Sequence, residues 1–167
     1  MFSIDYLDRV HARTRRVVLL VPRDDVEWAP KDGWFTFGGL VRHLAGIERW
    51  MYGETVQGRP SRYPGHDASL AAGYDADGFD ATLAYYDRLH AESRAIFAGL
   101  SAERLAARCE TPAGAPITVG KWLRAMLEHE AHHRGQLYLM LALRGVPTPP
   151  LYGLTSEEVQ SRSGGER

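Results

Sequence analysis

Residues 118–147 read TVGKWLRAMLEHEAHHRGQLYLMLALRGVP, and this stretch decides the fold class. Met126, His133, Leu137 and Met140 recur at the helical period, so the segment is expected to be an amphipathic helix with one face on a core. Thr118 stands where an N-cap would, Ile117 and Trp122 are spaced as a hydrophobic staple across it, and Gly145 with Pro147 ends it.

Three more helical segments lie upstream. The first starts from Ser3 as N-cap and runs through Ile4, Leu7, His11, Thr14, Val18 and Val21 to Pro22. The second begins near Thr36, carries Leu40, His43, Leu44, Ile47, Trp50 and Met51 on one stripe, and has Gly53 as a C′ residue. The third runs from about Asp77 through Phe79, Leu83, Tyr86, His90 and Phe97 to about Leu100. No segment alternates as a half-buried strand does, so the class is all-α, a four-helix bundle with long connections. The connection over 54–76 exceeds the usual length of a structureless loop, and such loops form binding surfaces or cross a bundle from end to end. Thr155 and Glu158 match a capping box and predict a short C-terminal helix. One domain over residues 1–160 is expected, with 161–167 a disordered tail.

At 167 residues the chain can bury a core without disulfides or structural metal, which leaves any metal free to be functional. Twenty Lys+Arg against 21 Asp+Glu give a net charge of −1, interspersed along the chain, which speaks against a basic nucleic-acid binder. The single cysteine, Cys109, excludes an internal disulfide framework and Cys-rich zinc sites and reads as a free thiol in a loop. The N-terminus is broken by charge every few residues and no window reaches membrane-spanning length, so a cytoplasmic protein is expected. Seven histidines are left as the conspicuous chemistry.

At about 100° per residue, His129 and His133 face inward on the last long helix and His132 points outward. Residues four apart stack one turn above each other with Cβ atoms about 6 Å apart, which lets two imidazoles converge on one ion at about 2.0–2.1 Å. Burying two imidazoles together is costly unless a metal or a carboxylate organises them. His43 on the second helix could supply a third ligand, but His11 and His90 lie on their own apolar stripes just as clearly, and periodicity does not choose among them. As lone inward histidines, His11 and His90 read as core side chains with satisfied hydrogen bonds. His66 and His132 read as solvent-facing, although His66 could reach a pocket from the long loop.

HEAHH at 129–133 also satisfies H-E-x-x-H, in which Glu130 would be the general base of a zincin-like peptidase. The longer metzincin form is absent, because Gln136 and Leu139 stand where its Gly and third His would be. Glu130 falls about 40° from the stripe centre and can approach the site as a base or as an orienting group; its plainer reading is a boundary residue paired with an arginine. Trp50 and Trp122 read as core. Arg134 and Gln136 read as packing or hydrogen-bonding residues, and Gly135 as a point of close helix approach.

The run LEHEAHHRGQLYLMLALRGVPTP at 127–149, taken with WFTFGGLVRHLAGIERWMYG at 34–53, resembles the DinB/YfiT-like superfamily of metal-dependent four-helix-bundle proteins, which is distinct from the DNA polymerase also called DinB. The resemblance spans nearly the whole chain and implies that His43, His129 and His133 bind a divalent ion, nickel or zinc, with water completing the coordination. Three protein ligands with an open position mark catalytic rather than structural sites. The superfamily includes thiol-dependent S-transferases and a mycothiol-dependent isomerase. The resemblance therefore implies a transferase or hydrolase in which a metal-activated low-molecular-weight thiol or water attacks a small electrophilic substrate, on a bundle that often forms homodimers. The alternatives are a non-catalytic metal- or ligand-binding stress-response module and the HEAHH peptidase.

Overall fold

A computed structural model describes residues 2–67, 78–151 and 153–163. The chain folds as an all-α four-helix bundle. Its helices are α1 (Ile4–Val18), α2 (Phe37–Gly46), α3 (Gly53–Thr55), α4 (Phe79–Ala98), α5 (Ala102–Ala106), α6 (Val119–Leu143) and α7 (Ser156–Ser163). A π-helical stretch, Ile47–Tyr52, joins α2 to α3, so the three form one continuous rod. α1 packs against α4 and α6, and α2 packs against the same two, so the sequence neighbours α1 and α2 lie diagonally across the bundle. Among the described residues no helix is long and apolar enough to cross a membrane.

The helix starts follow local chemistry. Ser3 Oγ accepts from the Tyr6 N–H, and Thr36 Oγ1 accepts from the Gly39 N–H at 2.8 Å. The Thr155/Glu158 capping box forms in both directions, at 2.6 and 3.2 Å. Thr118 occupies the N-cap of α6 without a capping bond from its side chain, while Ile117 and Trp122 pack on one apolar cluster. Gly145, at φ 68°, ends the last long helix as expected. The expected start of the third helix at Asp77 lies outside the described residues. α7 runs to Ser163, three residues into the stretch expected to be a tail.

Gly53 does not end the second helix, as its C′ reading required. Its φ is −59°, the chain stays helical to Thr55, and the left-handed residue is Gly58 at φ 77°. Beyond it the chain turns back along α2 as a strap. The Arg62 N–H donates to the Trp50 carbonyl at 2.8 Å, and a Cβ on Gly46 would come within 3.0 Å of the Tyr63 ring. Glu54 fastens the strap: its buried carboxylate accepts from Arg49, Arg59 and Arg62 at 2.6–2.9 Å. Helical spacing gave no sign of the short α5 or of a hairpin of β1 (Arg108–Glu110) with β2 (Pro116–Thr118), each strand too short for alternation to register. Cys109 therefore sits buried on a strand rather than in a loop, and burial raises its thiol pKa.

The core has two apolar clusters, one including Val17, Phe37, Leu40, Tyr86 and Leu137, the other Leu7, Val10, Phe97, Leu123 and Met126. Between them lie His11, Glu48, His90 and Glu130, one buried ionisable side chain from each wall of the bundle.

Gly135 is exposed, and a Cβ built there meets nothing within 4 Å among the described residues, so no helix approaches closely at this glycine, contrary to what its sequence position suggested. Gly135→Ala is expected to stabilise the chain by about 1 kcal/mol, raising Tm by about 2–4 °C in a calorimetric scan; a fall would show that the position needs glycine. Burial alone would raise the Glu54 carboxyl, but its three arginine hydrogen bonds outweigh this and hold it at about 2 against an ordinary 4.5. A carboxyl depressed by folding stabilises the fold above its unfolded pKa and loses that contribution as pH falls through its folded value. Glu54→Gln is expected to cost roughly 2 kcal/mol at pH 7. The gap in melting temperature between variant and native chain should close as pH falls from 4.5 to about 2.

Candidate metal centre

The seam between α2 and α6 brings three imidazoles together. His129 Nε2 lies 3.0 Å from His133 Nε2 and 3.2 Å from His43 Nε2. The outer nitrogens are held from behind: His133 Nδ1 contacts Gln136 Oε1 at 2.6 Å, and His43 Nδ1 contacts the Tyr63 hydroxyl at 2.7 Å. Because a carboxamide oxygen only accepts, the His133 proton resides on Nδ1 and its Nε2 presents a lone pair to the centre. Burial and the neighbouring imidazoles push His43 down to about 3, burial and His133 push His129 down to about 4, and burial lowers His133 as well. All three are therefore neutral near pH 7.

Neutral imidazoles alone do not satisfy this arrangement. His129 Nε2 takes part in both short contacts. If it carries a hydrogen it faces one partner squarely and not the other; if it is bare, it opposes the bare Nε2 of His133. A cation between the rings removes the conflict. Two imidazoles holding one ion at about 2.0–2.1 Å, with an angle of about 90–110° between them, would have nitrogens about 2.8–3.4 Å apart, a range that includes both spacings. The residues present thus fit a divalent ion.

Two walls flank the centre, and Arg42, beside His43 in sequence, ties them together. Its buried guanidinium grips both Glu27 oxygens at 2.7 and 3.0 Å, and its Nε donates to the His66 carbonyl at 2.9 Å. The first wall carries Phe35, whose ring centroid lies 5.1 Å from His43 and 5.9 Å from His133. The second is the strap, with Tyr63 and with His66 packed 4.6 Å from Phe35. His66 thus borders the site while its side chain stays about half exposed, and His132 is exposed as expected. Arg42, Tyr63 and Phe35 had no signal in helical spacing that set them apart.

Glu130 is placed differently from its expected role. It is buried, accepts from Tyr86 Oη at 3.0 Å, and is raised well above the usual carboxylate range by burial and by the charge of Glu48. It belongs to the layer inside the bundle, on the side of α6 that meets α1, because successive helical residues diverge by about 100° and His129 is committed to α2. Arg134 Nη1 likewise donates to Thr14 Oγ1 on α1. His11, Glu48 and His90 also bring donor atoms within 4.8 Å of one another. There, however, the two rings stack at 3.5 Å with planes 6° apart, so their in-plane lone pairs run parallel and do not meet at one ion. His90 Nδ1 is satisfied by Glu48 at 3.1 Å, whereas His11 Nδ1 is buried without a hydrogen-bond partner among the described residues, against the satisfied reading.

The sequence profile of the DinB superfamily matches residues 6–137, and the chain belongs to that superfamily. No curated protein matches it. Among solved structures it is similar to YjoA, a DinB-like protein of Bacillus subtilis, with a TM-score of 0.68 and 17% identity over 91% of this chain and 98% of that one. It is similar also to YfiT of Bacillus subtilis, described as a probable metal-dependent hydrolase with an unusual four-helix bundle topology (TM-score 0.65, 21% identity, 86% of each chain). A DinB-like protein of Bacillus cereus matches with a TM-score of 0.66 and 15% identity over 87% of this chain and 93% of that one. At such identities the likeness shows the fold.

The Tyr63 hydroxyl is held protonated by burial, with a pKa of about 12, and it orients His43. Tyr63→Phe is expected to weaken zinc or nickel binding about tenfold in a competition titration without changing the melting temperature of the metal-free chain. Unchanged affinity would show that the hydroxyl does not orient the ligand.

Proposed function

We propose that the chain is a metal-dependent enzyme in which His43, His129 and His133 hold one divalent ion and a water or a low-molecular-weight thiol is the nucleophile. The observation that carries this reading is the pair of Nε2 contacts at 3.0 and 3.2 Å that neutral imidazoles cannot both satisfy. The description of YfiT as a probable metal-dependent hydrolase supports it. The candidate group comprises three histidines, fewer ligands than a closed structural site uses. A divalent ion so held lowers the pKa of a bound water or thiol toward neutrality.

The chain's own residues prepare the centre. Gln136 fixes the His133 tautomer, and Tyr63 sets the angle of His43. Burial keeps the imidazoles neutral, so no proton has to leave them before the ion binds. Phe35 covers the rings on one side and shields the centre from bulk water. Glu130 faces the interior layer, so the HEAHH peptidase mechanism loses its base.

Metal analysis of the purified chain is expected to find about one equivalent of zinc or nickel, lost in His43→Ala and in His133→Ala. Full occupancy in both variants would sink the ligand assignment. The loaded protein is then assayed with a p-nitrophenyl ester, and with bacillithiol, mycothiol or glutathione against a chloro-dinitro-arene. A rate removed by chelation and restored by metal is expected in one of these arms. Bound metal with no metal-dependent rate in any arm would make the chain a binding module instead.

A further inference from the structure

The candidate centre has an apolar neighbour. The segment before α2 and the C-terminal half of α6 enclose a cleft of about 480 Å³ walled by Pro30, Trp34, Phe35, Gln136, Leu139 and Met140, a size that suits a small organic molecule. None of the described residues that line it is charged. Two of its residues are also neighbours of the centre: Phe35 lies against His43 and His133, and Gln136 holds His133 Nδ1. A larger cleft of about 600 Å³, lined by Arg59, Ser61 and Glu110 among others, has none of the three histidines or their Tyr63 and Gln136 partners in its walls.

Exposure at the cleft is unusual for a solvated surface. Trp34 and Leu139 are 59% and 56% exposed, among the most exposed large apolar side chains of the chain, and they stand together beside a candidate catalytic centre. Beneath them Leu40 and Met140 are buried and give the cleft an apolar floor. A charged group entering here would lose its hydration and find no counter-charge, whereas an aryl or branched alkyl group would exchange water for contact with Trp34, Phe35 and Leu139.

We propose that this cleft is the substrate's specificity site: it takes an uncharged aryl or branched-alkyl group, with the reactive end of the same molecule at the three histidines. The inference rests on the metal-dependent reading above and names its substrate class. The carboxamide of Gln136 lines the cleft while its oxygen holds His133 Nδ1, so one side chain touches both the cleft and the histidine cluster.

Hydroxamates test this, because one end binds metal and the other can be varied. On the zinc- or nickel-loaded chain, benzohydroxamate is expected to bind at least tenfold more tightly than acetohydroxamate by calorimetric titration. In Leu139→Glu and in Trp34→Ala that ratio should fall to near one with metal content unchanged, while Leu19→Glu, exposed at the end of α1 and not among the residues that wall the cleft, should keep it. Equal affinities in the native chain, or a ratio retained in both cleft variants, would overturn the proposal and leave the metal reading standing. A chain that holds no metal would instead remove the proposed function, and the uncharged dye N-phenyl-1-naphthylamine then decides the cleft. Binding lost in Leu139→Glu supports it, and no binding by the native chain overturns it. Sedimentation completes the set: a native dimer that Leu139→Glu dissociates while leaving the hydroxamate ratio intact would make the face a contact between copies and overturn the proposal.

Discussion

Two carboxyl groups, Glu48 and Glu130, lie buried at one level of the bundle, and the middle of the molecule is organised by the need to keep them partnered. Glu48 is met by His90, whose imidazolium burial disfavours but whose pKa rises because the hydrogen bond and charge of Glu48 outweigh burial. Glu130 sits near that charge and is pushed toward its neutral form while Tyr86 donates to it. Burial and His90 together depress His11 to about 3, so it stacks as a neutral ring between His90 and Tyr86. A hydrogen-bonded Glu48–His90 pair, a neutral His11 and a Glu130 pushed toward its neutral form are a far cheaper arrangement to bury than four independent charges would be. The apolar clusters above and below then close over this layer.

This layer explains why the middle of α6 is so polar for a helix inside a bundle. Residues 129–134 serve two neighbours at once. His129 and His133 turn to α2 and meet His43, while Glu130 and Arg134 turn to the layer and to Thr14 on α1. The π-helical stretch works in the same way on the neighbouring rod that begins with α2. It lies between His43 and Glu54, and an added residue per turn rotates the later side chains of the rod relative to an α-helix, leaving Glu48 inside and Arg49 and Glu54 toward the strap. The strap returns along this rod, so the knot at Glu54 and the grip of Arg42 at the other end together fix where Tyr63 can lie. Positioning of His43 is thus distributed over two ion-paired anchors that never touch the centre.

The bundle was legible in the sequence because its determinants are local. Ser3, Thr36 and the Thr155/Glu158 pair act on hydrogen bonds within three residues, and the apolar stripes need only the helical period. The His129/His133 pair was legible for the same reason. His43 was not, since a stripe histidine opposite other histidines and one opposite a glutamate look alike until the packing of α2 on α6 and of α4 on the π-helical stretch is known; only the family resemblance distinguished it from His90. Glu130 sat on the boundary between two faces, where a shift of one neighbouring helix decides the partner. Gly53 misled because glycine marks a helix end only when its φ is positive, and here it is −59°. Tyr63, Arg42 and Phe35 act through tertiary contacts across irregular chain, which periodicity does not describe.

The same helix also sets the distance between the three-histidine cluster and the apolar cleft. His129, His133, Gln136 and Met140 succeed one another at spacings of four, three and four, so a single stripe of α6 leads from the two histidines, past the carboxamide that holds His133 Nδ1, into the apolar cleft. From His133 to Met140 the rise is about 10 Å at 1.5 Å per residue. Because α6 is pinned along this length by α1 and α2 and carries no break, that distance does not vary with loop motion. A molecule anchored in the cleft would present to the centre only the atom that lies at the matching separation. Selection would then be by length and shape, with Trp34 and Phe35, on the less regular segment before α2, adjusting to the group between them.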